Sequence, residues 1–366
     1  MERTTRPPFS DRLTDFWFNR GSPDIGPLLR WSLRALEVVY RLVIAVRQAW
    51  GSAFSPPRVS GVRVIAIGNL VVGGAGKTPC TLALANALTF RSIPFGMISR
   101  GYKSKAETQP ATLVRPESLT TVTPADIGDE PWLLCWRTQR PVVVGSDRHA
   151  GVRLLKEAFP DVQVALLDDG LQQRSVAWND SLVLIDQRGF GNGHCLPAGP
   201  LREPIDRLRF FDHWIDHDAP TAMTQCAPLP RSRGQLTQTS DRWVPIAHWQ
   251  DPSMWEDFSV GIHRARHQSI LAVAGIATPS QFFQTLSDQG LTFDTLALAD
   301  HASDLVSQTI RRCEEKSYDL VLMTEKDAVK FFHQPSSIQH RAWALRRDAV
   351  LDADFLKRLL DGPKTS

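Results

Sequence analysis

Lys77 and Thr78 close a glycine-rich stretch, GNLVVGGAGKTP, over residues 68–79. A β-rich run precedes it and a helical pattern follows, which is the context of a phosphate-binding loop. Gly73, Gly74 and Gly76 let backbone N–H groups curl around a phosphate. The start of the following helix adds a positive dipole. Lys77 is spaced to reach β- and γ-phosphates, and the Thr78 hydroxyl to ligate Mg2+. One residue departs from the common spacing G-x-x-x-x-G-K-[ST]. Position 71 is Val, and Val71 and Val72 precede glycines that are shifted inward around Ala75. The alternative is a glycine-rich strand-to-helix turn with a chance Lys-Thr.

A loop of this kind needs a second Mg2+ element at the end of a neighbouring strand. VALLDDG (164–170) fits, with Asp168 and Asp169 after an apolar run and Gln172 in the turn that follows. The alternative is a plain Asp-Asp-Gly turn. Thr324-Glu325-Lys326-Asp327 has the letters of a guanine-recognition loop in the wrong order. It reads as a helix start, so a GTPase is rejected.

The elements that must carry these residues follow from periodicity. Strands are expected over 62–70, 94–100, 141–145, 164–170, 181–186, 269–276 and 318–325. Helices are expected over 77–90, 150–159, 278–289, 302–316 and 326–333. β-Branched runs alternating with helices predict an α/β fold with a mostly parallel sheet covered on both faces. Residues 1–57 read as an N-terminal segment and 58–217 as the phosphate-loop domain. Residues 218–266 read as a connecting region and 267–366 as a smaller C-terminal α/β domain.

Composition narrows the class. A chain of 366 residues with 42% hydrophobic and 22% charged residues is globular, with length for about two domains. A net charge of +3 excludes a polybasic nucleic-acid binder. Five Cys (80, 135, 195, 226, 313) form no C-x-x-C pair, which argues against zinc and disulfides and for a reducing compartment. No long apolar run predicts a spanning helix, and the N-terminus lacks a signal-peptide core.

Charge is uneven, however. Residues 1–60 hold nine Arg, no Lys and five acidic residues, a net +4. On a helix over 28–50, Arg30, Arg34, Glu37, Arg41 and Gln48 fall on one narrow stripe. Apolar residues, Trp31 among them, cover most of the rest. Such a wide apolar arc suits a helix lying in a membrane interface. A core helix with one solvated edge is the other reading.

Several segments occur together in order: GNLVVGGAGKTP (68–79), SRGYK (99–103), GDEP (128–131), DRHAG (147–151), DDGLQ (168–172), LPAGPLREP (196–204) and ADH (299–301). This set resembles the tetraacyldisaccharide 4′-kinase family of lipid A biosynthesis, and Val71 is what that family looks like. The resemblance implies a P-loop NTPase-like fold with a second, smaller α/β domain. It implies transfer of the γ-phosphoryl of ATP, with Mg2+, to the 4′-hydroxyl of tetraacyldisaccharide 1-phosphate. It also implies a peripheral enzyme, expected as a monomer, at the cytoplasmic face of the inner membrane. Its partners would be the lipid substrate and the membrane surface, not nucleic acid.

By the same resemblance Asp129 would be the general base and His301 its partner. Their wide separation along the chain implies that they meet across two domains, assembled by domain closure. Asp168, Asp169, Gln172, Glu203 and Thr78 would hold Mg2+ or order its shell. Arg202 would neutralise transferring charge. Arg100, Arg148 and His149 would contact the 1-phosphate or the nucleotide, or else pair with Asp126, Asp129 or Asp147. A P-loop partition or maturation ATPase, and a non-catalytic nucleotide-binding scaffold, are the competing readings of the residues themselves.

Overall fold

Arg63–Asn69 is a strand buried from Val64 onward, as a parallel strand covered on both faces must be. The computed structural model describes residues 9–19, 25–53, 56–74, 76–173, 175–218, 231–276, 278–299, 302, 304–334 and 336–361. Contacts group the chain into two compact units. The first takes Met1–Cys80, Val164–Thr237 and Leu351–Ser366, and the second Thr81–Gln163 and Gln238–Val350. Both are assembled from separate stretches of chain, whereas the division expected from the sequence follows chain order.

In the first unit, Arg63–Asn69 runs parallel between Val164–Leu167 and Asp180–Asp186, with Ile65 level with Leu166 and Ile67 with Leu182. His213–His217 extends this sheet, followed by the first residues of Ser232–Pro245, again parallel. The α/β class expected from the sequence is therefore present. The 14-residue strand Ser232–Pro245, not among the expected strands, lies within the stretch read as a connecting region, 218–266; residues 219–230 lie outside the described ones. Its pattern is hidden because the inward position 234 is glycine. A Cβ there would stand 2.5 Å from the ring of Phe355, which helix Ala353–Asp361 packs into that space.

In the second unit, Ile270–Ala274 is fully buried and parallel to both Asp294–Ala297 and Leu320–Thr324. Ala342–Leu351 continues the set beside Leu320–Thr324. Phe95–Ser99 runs parallel to Val142–Val144, and Thr112–Val114 pairs antiparallel to that strand. Helix Asp129–Thr138, absent from the helices expected above, is anchored by Trp132 and Trp136, which pack with Trp249 and Phe332.

Helix Pro27–Ala53 carries the N-terminal amphipathic pattern. Leu33 and Glu37 are buried, and Leu29, Tyr40, Ile44 and Gln48 half-buried. At about 100° per residue these six form one stripe. Glu37 accepts from the Cys195 amide at 2.8 Å and lies 3.0 Å from His194 Nδ1. Tyr40 donates to the Arg202 carbonyl, and Gln48 to Glu203. The opposite side is apolar and open: Trp31 is 76% exposed, and Leu28, Val38, Val39, Leu42, Val43 and Val46 are exposed with it. The expected polar stripe is thus split. Glu37 and Gln48 turn inward, while Arg30, Arg34 and Arg41 stay exposed. The core-helix reading fails, because the packed stripe is the narrow one. No helix of the described residues is long and apolar enough to cross a membrane.

A buried ion pair ties the end of the first unit to its central strand. Arg63 donates to Asp180 at 2.8 Å and to the Leu359 carbonyl at 2.6 Å, and His213 lies 3.4 Å from the same carboxylate. Burial pushes the Asp180 pKa up, but hydrogen bonds from His213 and Arg63 outweigh it and hold it below the ordinary 3.8. A depressed folded value contributes stability above the unfolded value, lost as pH falls through the folded one. Asp180→Asn is therefore expected to cost about 3–5 kcal/mol at pH 7, by stranding Arg63. Urea melts of the full chain should show that gap closing below pH 3.8. A gap of constant size down to pH 2 would remove the pair from the account.

Candidate active site

The phosphate loop begins where the Arg63–Asn69 strand ends. Val72 N donates to the Pro200 carbonyl at 2.9 Å, and Arg202 N to the Leu70 carbonyl at 2.7 Å. Val71 forms a bridge with Leu201. This pairing explains the missing glycine: position 71 is extended chain held against 200–202, where Val is favourable. The turn comes later, at Gly73 (φ 86°) and Gly76 (φ 82°). A Cβ on Gly76 would stand 2.4 Å from His217 Nδ1, so that position excludes any side chain. Ala75 lies outside the described residues. Lys77 is the first residue of helix Lys77–Phe90, and half-buried Thr78 the second.

A compact charge network surrounds Lys77. Its Nζ donates to Asn69 Oδ1 at 3.1 Å and lies 3.4 Å from Asp169 Oδ1. Arg202 Nη1 donates to both Asp169 oxygens at 2.9 and 3.1 Å, and to Gln172 Oε1 at 3.4 Å. Gln172 in turn donates to the Asn69 carbonyl. Burial pulls the Lys77 pKa down, against the opposing pull of Asp169 and Asp168. Burial pushes Asp169 up, but Lys77 and Arg202 outweigh it and leave the carboxyl below its ordinary value. Asp169 has a positive φ of 52°, a strained conformation for a non-glycine residue. Asp168 is buried at the strand end. Burial, then the Asp168 charge, raises the nearby Cys80 thiol to about 12.

Lys77, Asp169, Gln172 and Arg202 are thus brought together, and Asn69, which lies in the GNLVVGGAGKTP stretch but was given no role from the sequence, joins them. Glu203 is not aimed at this cluster. Its carboxylate accepts from Arg207 at 3.0 Å and Gln48 at 3.3 Å. Among the described residues no three His, Cys, Asp or Glu side chains form a metal cage.

In the second unit, Asp129 opens helix Asp129–Thr138 behind Gly128 (φ 98°) and is 7% exposed. Lys330 Nζ lies 3.3 Å from Asp129 Oδ2 and 3.5 Å from the Ala302 carbonyl. Lys326 pairs with Glu130 at 2.7 Å. Arg137 donates to both Glu325 oxygens at 2.7 and 2.8 Å, and to Asp348. The helix that positions Asp129 is therefore clamped by residues 325–330. Thr324 caps that stretch as expected, accepting from the Asp327 amide. The spacing of Lys326 and Lys330 was the available signal, but no sequence rule names a partner for them.

His301 lies outside the described residues. Asp129 and Ala302, its chain neighbour, both fall in the second unit, and Lys330 reaches both. Arg100 pairs with Glu107 at 2.8 Å, on the surface. Arg148 is 1% exposed and donates to the Gly145 carbonyl. His149 is half-buried in the first turn of a helix capped by Asp147.

Known proteins supply the family. The family model for tetraacyldisaccharide-1-P 4′-kinase matches residues 29–363. A tetraacyldisaccharide 4′-kinase of Herminiimonas arsenicoxydans is 35% identical over 99% of this chain and 97% of its own. That of Methylibium petroleiphilum is 36% identical over 89% and 85%. The crystal structure of "apo" form LpxK from Aquifex aeolicus in complex with ATP superimposes with a TM-score of 0.73. It is 23% identical, covers 91% of this chain and 98% of that one, and shares the fold. The fold, the loop with its charge network and these matches agree, and the chain belongs to the tetraacyldisaccharide-1-P 4′-kinase family.

Proposed function

We propose that this ATP-dependent kinase transfers the γ-phosphoryl group of ATP to the 4′-hydroxyl of tetraacyldisaccharide 1-phosphate, yielding lipid IVA. The observation that carries the reading is the Lys77–Asp169–Arg202 network at the end of a glycine loop, in a chain that the family model covers over 29–363. Backbone amides from Gly73 to Gly76 and Lys77 receive the phosphates, while the Val72 amide is held by the Pro200 carbonyl, and Arg202 neutralises charge that develops in transfer. Asp129 accepts the hydroxyl proton as the acceptor oxygen bonds to phosphorus and ADP departs. His301 orients that carboxylate, and Lys330 holds it through an ion pair.

Mg2+ keeps several waters and takes one or two carboxylates with substrate phosphates, so a full protein cage is not needed. Asp168 and the Thr78 hydroxyl suit it as ligands. Asp169, already held by Lys77 and Arg202, and Gln172 order its surroundings. Bound there, Mg2+ would neutralise β- and γ-phosphate charge. Glu203 holds Arg207 and Gln48 instead. Arg100 and His149 are the remaining contacts for the 1-phosphate.

The acceptor is a lipid, and helix Pro27–Ala53 presents an open apolar face beside Arg30, Arg34 and Arg41. This face rests in the cytoplasmic surface of the inner membrane, with the enzyme peripheral and monomeric. The triple variant Trp31→Ser, Leu42→Ser, Val46→Ser should bind anionic vesicles at least about 100-fold more weakly, with ATP affinity unchanged. Vesicle flotation equal to wild type would detach the helix from this role.

The function itself is tested by transfer. Full-length protein with γ-labelled ATP, Mg2+ and tetraacyldisaccharide 1-phosphate in micelles should place label in the lipid. Label in free phosphate alone, at a rate indifferent to lipid, would replace this reading with a partition-type ATPase.

A further inference from the structure

Arg188 lies two residues beyond the strand Asp180–Asp186, in a stretch that no catalytic motif marks. Its guanidinium is locked by one carboxylate. Arg188 Nε and Nη2 donate to Asp186 Oδ2 at 2.9 and 2.6 Å, and its own amide donates to Asp186 Oδ1 at 2.9 Å. The remaining donors point at the phosphate loop. Nη1 donates to the Val72 carbonyl at 3.2 Å, and Nη2 to the Gly74 carbonyl at 2.8 Å. The side chain is 11% exposed, with the Phe18 ring 5.3 Å from the guanidinium carbon.

These bonds act on the loop through peptide geometry. Carbonyl and N–H point in opposite directions across a trans peptide. Fixing the Val72 carbonyl toward Arg188 therefore turns the Gly73 N–H to the other side. Glycine-rich backbone has many conformations open to it, and only some present N–H groups to an anion. A planar fork of five donors can hold two carbonyls and a carboxylate together, which a single ammonium cannot. Asp186 neutralises most of the added charge, so the arginine acts by shaping the loop more than by attracting phosphate. A Cβ at Gly73 would stand 3.2 Å from Nη1, so arginine and glycine fit as a pair.

We propose that Arg188, locked by Asp186, is a positioning residue that holds the loop in its phosphate-binding shape before the nucleotide arrives. The inference rests on the reading that residues 71–78 take the triphosphate of ATP.

The test compares full-length wild type with Arg188→Ala, Arg188→Lys and Asp186→Asn. Mg-ATP affinity is measured by calorimetry, and KM for ATP and for the lipid acceptor by transfer. Arg188→Ala should raise Kd and KM for ATP by about 10- to 100-fold, the scale of a lost charge-assisted hydrogen bond, with acceptor KM unchanged. Arg188→Lys should recover little of this, and Asp186→Asn should show an intermediate loss. Millimolar guanidinium chloride should restore part of the ATP affinity of Arg188→Ala, where equal sodium chloride does not. Wild-type ATP affinity in a folded Arg188→Ala protein would overturn the proposal. So would equal rises in both KM values, or full recovery by lysine. Should Arg188→Ala fail to fold, Arg188→Lys and Asp186→Asn decide by the same ATP affinities. Wild type that binds ATP but labels no lipid would sink the kinase reading and leave this inference decided by Kd. Wild type that binds no ATP would sink both.

Discussion

Asp129→Asn lowers kcat by about 10²- to 10⁴-fold, the range for a positioned general base, while the Kd for ATP stays at the wild-type value. A sugar hydroxyl is a weak nucleophile, and the oxygen that takes its proton must be ionised and fixed. Asp129 is buried at a helix start with Lys330 3.3 Å away. Asparagine keeps the shape and one acceptor oxygen but removes the proton sink. Its cost is expected on the chemical step, because Asp129 is not among the residues proposed to receive ATP. Lys330 loses a counter-charge in this variant, so folding is monitored by circular dichroism alongside. Single-turnover transfer with saturating ATP separates chemistry from binding. A kcat within a few-fold of wild type in a folded protein would end the assignment of Asp129 as base.

Lys77→Ala loses both affinity and rate, in contrast to Asp129→Asn. Removing a cation aimed at transferring charge costs about 10²- to 10³-fold in kcat. Kd for ATP rises as well, because the same ammonium serves the bound phosphates. Its position is set in advance by Asn69 at 3.1 Å and Asp169 at 3.4 Å. Burial disfavours the charged amine, and the Asp169 and Asp168 charges oppose that loss. Lys77→Arg is expected to rescue poorly, since a planar fork does not substitute for a compact point charge in a half-buried pocket. Isothermal titration and steady-state transfer on the same preparation read both effects. Unchanged ATP affinity in Lys77→Ala would move the phosphates away from this loop.

Much of this site could be read along the chain, because its demands are local. A turn at positive φ needs glycine, a helix start presents free N–H groups, and an apolar run ending in Asp-Asp places carboxylates at a strand end. Each is a property of a few consecutive residues, so residues 73–78 and 168–169 were legible. The wide apolar arc of residues 28–50 was legible for the same reason, as a repeat near the helical period. Val71 was legible only as an exception; its cause, the bridge to Leu201, comes from a distant segment. The strand Ser232–Pro245 was missed because Gly234 yields its space to Phe355, again far along the chain.

The sequence by itself determined that this protein would fold as α/β, with a glycine-rich loop between the first strand and its helix. The tertiary structure decided which charges meet. Lys330 beside Asp129, Arg188 across the loop carbonyls, and Glu203 turned to Arg207 and Gln48 appear in no motif. Even where two partners are near in sequence, as Glu203 and Arg207 are, spacing alone does not select the pairing. Electrostatic and hydrogen-bond energies depend on separation in space and on burial, neither of which is a function of position along the chain.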